Sequence, residues 1–294
     1  MSLTKNLIIG LCLCCLSACS ALRIGYNQGE FLVWWWLDGY VDFNTEQAPR
    51  TKDAIHQWFA WHRSTQLPTY ADLLVSAQAQ VLQPATPEQA CRWAGDLRGR
   101  LEPLITQALP LAAPIVPTLT AEQLAHIERQ YRKSNDEFRE EFLQDAPEDR
   151  LKASTQRAVD RGEMLYGKLD ERQRRMLTVA ISASPFDANA WFAERQAIQR
   201  ETLLALRKVS AQGQAGADRY ATALVALKAL AQRAQQPPPA YRAYQLRLTE
   251  YNCAVAAQLH NSTTPTQRQA ARAKLKSWED DVRALIAQVS NGGV

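Results

Sequence analysis

The chain has 294 residues, 46% of them hydrophobic and 22% charged, and a formal charge of +4. That is long enough for one large core or two small ones, and too balanced in charge to call for nucleic acid. The four histidines are scattered and form no Cys/His cluster at metal spacing, so neither a metal nor another cofactor is expected.

Residues 1–18 read as a secretory signal. Lys5 precedes the apolar run Leu7–Leu16, which is too short to cross a bilayer but fits a signal core. The run closes on Leu16-Ser17-Ala18-Cys19, which resembles the lipobox of bacterial lipoproteins. That resemblance implies cleavage before Cys19, lipidation of its thiol, acylation of the new amine and a stable multi-chain anchor. Ser20, where inner-membrane retention typically needs Asp, implies the outer membrane. Loss of Cys12, Cys14 and Cys15 with the signal leaves Cys91 and Cys253 beside the lipidated Cys19. The periplasm permits a Cys91–Cys253 disulfide, and two buried thiols are the alternative.

After Cys19 no Gly/Ser linker intervenes before Phe31-Leu32-Val33-Trp34-Trp35-Trp36-Leu37. Seven apolar residues in a row predict first a central core helix. A tryptophan face in the lipid headgroup region and a partner groove are the alternatives. Asp38–Phe43 reads as a turn and a short extended piece, whose two acids cap or pair more readily than they catalyse. Residues 46–63 place Ile55, Trp58, Phe59 and His62 at helical spacing, and a further helix starts after Pro68. Thr86, Thr120 and Thr264, each followed by Gln three residues on, are capping-box starts. Leu109–Pro117, with three prolines, is expected to be a non-helical connection lying on the core. It divides an aromatic-rich part, 19–118, from a helical part, 119–294, within one continuous domain.

Residues 121–175 carry 25 charges in 55 positions, thirteen acidic and twelve basic. Narrow seams, Leu124–Ile127–Tyr131–Phe138–Phe142 and Leu151–Ala158–Leu165–Leu169, predict a charged antiparallel hairpin. It is expected to protrude, either as a solvated pair of surface helices or as a partner arm through Tyr131 and Phe138. Ser184–Asp187 starts another helix, with Trp191, Phe192 and Ile198 inward. Three clear helices close the chain, and their short connections predict antiparallel neighbours. No stretch alternates with period two, so the class is all-α, a multi-helix bundle.

HExxH, GxSxG, glycine-rich phosphate loops and calcium loops are absent from the sequence. The opening, Cys19–Gln28, then Trp35–Phe43, Gln57–Arg63 and Gln66-Leu67-Pro68, resembles a family of proteobacterial lipoproteins, domain of unknown function 6279. The likeness is specific over about residues 16–85. It implies a helical periplasmic lipoprotein and carries no assigned activity or functional residue. The expectation is a non-enzymatic protein-binding or structural module, anchored by Cys19 and contacting the membrane or a partner through Trp34, Trp35 and Trp36. A cell-wall or lipid hydrolase, with Glu30 or Asp38 as the acid, and a periplasmic folding helper are the alternatives.

Overall fold

Side-chain caps punctuate an all-helical chain. Thr86, Thr120 and Thr264 each accept the backbone N–H of the glutamine three residues on, and each glutamine accepts in return. Asp170 and Gln173 form a fourth box that the Thr pattern missed. Each box satisfies two backbone donors that a helix start leaves free. The structure, a computed structural model, describes residues 21–211 and 217–291. The leader and Cys19 lie outside them, as does the side chain of Val289.

The helices are α1 (Ala21–Asn27), α2 (Gly29–Val41), α3 (Gln47–Trp61), α4 (Leu67–Gln80), α5 (Pro87–Gly99), α6 (Leu101–Ala112) and α7 (Ala121–Phe142). They continue as α8 (Pro147–Tyr166), α9 (Glu171–Ser182), α10 (Ala188–Ala211), α11 (Ala217–Gln235), α12 (Pro239–Asn261) and α13 (Pro265–Asn291). A π-helical turn, His62–Gln66, fuses α3 to α4, so no break precedes Pro68. Its widened backbone is supported by hydroxyls: Ser64 donates to the Ala60 carbonyl at 3.0 Å and Thr65 to that of Trp61 at 2.7 Å.

Packing interleaves distant parts of the chain. The last helix, α13, lies along α4, α8 and α1; α12 lies on α5 and α9. A second group gathers α2, α3, α6, α7, α10 and α11. The three final helices are therefore not one another's principal neighbours, contrary to what their short connections imply. Their apolar stripes match α4, α5 and α10 better than each other, and burial outweighs connection length. In α11 the buried side of the helix holds Ala223, while Tyr220 is exposed. Helices from both sides of residue 118 share cores, as in the pairing of α4 with α13 and of α6 with α11.

Three further expectations are corrected. The helix α6 runs through Pro110 to Ala112, because a proline in the last turn deletes a single donor. The apolar segment that follows does lie on the core, with Ala113, Val116 and Pro117 buried. The helix α2 continues through Asp38 to Val41, and Asp42, at φ 59°, ends it in the left-handed conformation. The charged pair α7 and α8 is not a free arm: α7 packs on α10 and α2, and α8 on α9 and α13. The α7 seam is as read, with Leu124, Ile127 and Phe138 buried. The buried line of α8 is instead Val159, Gly162 and Tyr166, with Leu151, Ala158 and Leu165 half-buried and Leu169 buried just past its end.

Candidate functional site

The aromatic run is clustered and exposed. Phe31 is 62% exposed, Leu32 48%, Trp35 68% and Trp36 55%, and α2 buries no residue fully. The central-core reading is thereby overturned. A helix apolar all round needs cover on every side, and α2 is covered only where it meets α1, α3 and α7. Gly29 permits the approach to α3, since a Cβ there would lie 2.7 Å from the Phe59 ring. The three tryptophans do not act alike. Trp34 turns inward, stacked on Phe43 at 5.6 Å beneath the Lys52 ammonium, which lies 4.5 Å from its ring. Trp35 faces outward.

Trp36 turns toward a groove of about 590 Å³ between α2, α7, α10 and the α11–α12 connection. Trp36, Tyr40, Tyr131, Trp191, Ile198 and Tyr241 line it. Ring centroids lie 4.9 Å apart for Trp36–Tyr40 and 6.2 Å for Tyr40–Tyr131. Two regions read separately in the sequence, Trp34–Trp36 and Tyr131, thus meet. Phe138 does not join them at the surface: it is 6% exposed, packed on Phe142, Trp191 and Phe192. Burial raises the pKa of the Tyr131 hydroxyl, with Tyr40 adding to the rise and Arg195 opposing it.

Arg195 lies in the groove wall. Its Nε donates to Asn135 Oδ1 at 3.0 Å and its terminal nitrogen to Ser134 Oγ at 2.9 Å. Gln199 completes the network on Asn135, with a bond of 2.8 Å from the Asn135 amide. Every acceptor is neutral, and no carboxylate lies within 4.0 Å of the guanidinium among the described residues. The adjacent Glu194 is held by Arg233 at 2.7 Å, which also takes Glu201 at 3.0 Å. Sequence reading missed Arg195. The available signal was a charge on the apolar stripe of Trp191 and Ile198, at helical spacing from both.

Trp191 also walls a second, more polar cleft of about 950 Å³. Arg150, Arg157 and Arg161 line it from α8, opposite Phe142 and Phe186. Arg150 is occupied with the carbonyls of Gln144 and Asp145, and Arg157 lies over the Phe142 ring, 4.6 Å from its centroid.

The sequence's candidate acids have structural partners. Asp38 Oδ1 accepts the Phe43 N–H at 3.1 Å, closing the C-terminus of α2. Glu30 pairs with His56 at 3.1 Å in the open. No group of three His, Cys, Asp or Glu side chains is placed to hold a metal among the described residues.

Two histidines are buried against tyrosines. Tyr26 of α1 is hydrogen-bonded to His62 Nδ1 at 2.8 Å, and His62 stacks on Trp58 at 4.9 Å. Burial lowers His62 to about 4 and raises Tyr26 to about 12. At His260, Nε2 must carry the proton because it donates to the Gln83 carbonyl at 2.6 Å; Nδ1 then accepts from Tyr166 at 2.8 Å. Burial lowers His260 and raises Tyr166 to about 12. Both pairs are neutral bolts between helices. A Cys91–Cys253 disulfide, with Cα atoms 5.2 Å apart, ties α5 to α12.

Fold and groove together define an all-α helical module with an exposed aromatic helix and an aromatic cleft beside it. The chain belongs to the family of unknown function DUF6279, whose model matches residues 39–234. The match takes in most of the groove, including Tyr40, Tyr131, Trp191 and Arg195, and begins after the exposed part of α2. No curated protein and no solved structure matches the chain.

Proposed function

We propose that this protein is a lipid-anchored envelope module, held at the periplasmic face of the outer membrane through Cys19, that binds or braces rather than catalyses. The observation that carries this reading is the exposed face of α2. Monomeric soluble proteins rarely leave large apolar side chains clustered in water unless that surface meets something. Tryptophan is favoured in the lipid headgroup region. Phe31 follows Cys19 by only twelve residues, at most roughly 40 Å of chain even at full extension, so a lipidated Cys19 would keep α2 near the bilayer. Structural partners for Asp38 and Glu30 support the non-catalytic part of the reading.

The test uses the mature lipidated protein in phospholipid vesicles, with lipids brominated at different acyl depths. Trp35 should be quenched by shallow bromines, and Trp35→Phe should remove the largest share of that quenching. If Trp35 stays equally open to aqueous iodide with and without vesicles, the membrane-facing reading fails.

A further inference from the structure

We infer that the groove between α2, α7 and α10 is a binding site for a long-chain fatty acid, with the carboxylate held by Arg195 and the acyl chain by the aromatic walls. The inference rests on the membrane-proximal reading above for its source of ligand, and on the groove alone for its chemistry.

Three features of the groove point to this ligand. Its volume, about 590 Å³, falls within the span usual for small-molecule sites, roughly 300–1,000 Å³, which are mainly apolar with a few placed polar groups. Its walls follow that rule: Trp36, Val41, Ile127 and Ile198 supply apolar surface, and Tyr40, Tyr131 and Tyr241 are amphipathic. The few polar groups are Arg195, Gln199, Gln245 and a Glu194 already neutralised by Arg233. An apolar chain seated there would leave water without exposing any unpaired polar group of its own.

The second feature is Arg195. Arg195 is half-buried among aromatic rings, and a guanidinium drawn even partly out of water gives up hydration that a counter-charge normally offsets. Here its partners are an amide oxygen and a hydroxyl, and the Phe138 ring lies 5.8 Å away. Glu194 and Glu201 cannot serve, because both are engaged by Arg233. Asn135 and Ser134 bind Nε and one terminal nitrogen, which leaves the other terminal nitrogen with no hydrogen bond among the described residues. A carboxylate supplies the missing charge, and its planar oxygens suit a guanidinium better than those of any neutral headgroup. The Asn135–Gln199 network beneath fixes the guanidinium in place before any ligand arrives.

The third feature is continuity. Trp36 belongs both to the exposed helix and to the groove lining. An acyl chain leaving a bilayer on which α2 rests would enter past Trp36 and Tyr40 without crossing open water.

The experiment uses the mature lipoprotein in lipid nanodiscs with a photoreactive diazirine palmitic acid, and the matching palmityl alcohol as neutral control. Adducts are mapped by mass spectrometry. The acid should label groove peptides containing Tyr131 or Ile198 at least tenfold more than the alcohol does. Arg195→Gln should erase that preference, Arg195→Lys should retain most of it, and Ile198→Trp should block labelling by filling the groove. Circular dichroism confirms that each variant folds. Labelling confined to Phe31–Trp35 would overturn the groove site while leaving the membrane reading intact. Labelling at Tyr131 or Ile198 with none at Phe31–Trp35 would do the reverse. Equal labelling by acid and alcohol would overturn the role of Arg195, and with it the fatty-acid assignment.

Discussion

Protonation of His62 should loosen the N-terminal clasp of the protein. The imidazole is enclosed by Tyr26, Trp58 and Tyr70, and Arg63 leans over the Tyr26 ring at 5.1 Å. Burial is what opposes the charged form of this imidazole. In the unfolded chain the histidine takes up its proton near pH 6.5, whereas in the folded protein burial delays this to about 4. Between those values unfolding binds a proton, so stability rises with pH. The full contribution is present above about pH 6.5 and is lost as pH falls toward 4. At 1.36 kcal/mol per pKa unit the loss amounts to about 2 kcal/mol at pH 5 and roughly 3 kcal/mol near pH 4. His260, also lowered by burial, acts in the same direction. Comparison with His62→Gln, which cannot titrate, isolates the contribution. Urea unfolding at pH 7 and pH 5, followed by near-ultraviolet circular dichroism, should show the wild type losing about 2 kcal/mol more than the variant. Parallel losses in the two proteins would refute the assignment of His62 as a buried neutral group.

The Cys91–Cys253 bridge spans 162 residues, and chain entropy assigns such a loop about 5 kcal/mol. Reductant should lower the urea midpoint markedly, and a Cys253→Ala variant should show the lower midpoint without responding to reductant. Two glycines make a paired test of packing. Gly29→Ala should destabilise by about 1 kcal/mol, because its methyl meets the Phe59 ring edge at 2.7 Å and overpacking exceeds the gain in helix propensity. Gly39→Ala meets nothing within 4 Å, so it should stabilise by up to about 1 kcal/mol. Thermal melts of both variants decide the matter, and a Gly29→Ala protein more stable than Gly39→Ala would contradict the close α2–α3 approach.

Much of the local structure was legible in the chain itself. Thr-x-x-Gln placed three helix starts, because a capping box is a contact between residues three apart and depends on nothing distant. The seam of α7, Leu124 to Phe142, followed from helical periodicity alone, whereas in α8 the buried line fell on Val159, Gly162 and Tyr166, one position off the leucines. Periodicity was silent where a pattern had two solutions. Phe31–Leu37 has no polar face, and a run of this kind is equally compatible with a core and with an exposed face; only the placement of α3 and α7 decided which sides were covered. Pro110 was read as a helix breaker, yet its position in the final turn made the lost donor cheap.

The candidate site was hardly legible at all. Trp36 and Tyr131 lie 95 positions apart in sequence and share a wall only because α2 crosses α7. Arg195 looked like one charge among many until its partners proved to be Ser134 and Asn135 rather than a carboxylate. The sequence by itself determined the all-α class, the helix punctuation and which side of most helices is apolar, since these depend on contacts within a turn or two. The tertiary structure decided which stripes meet, which aromatic helix stays uncovered and which charge is left without a counter-charge. Those depend on competition among many apolar faces for burial, and no single segment records the outcome.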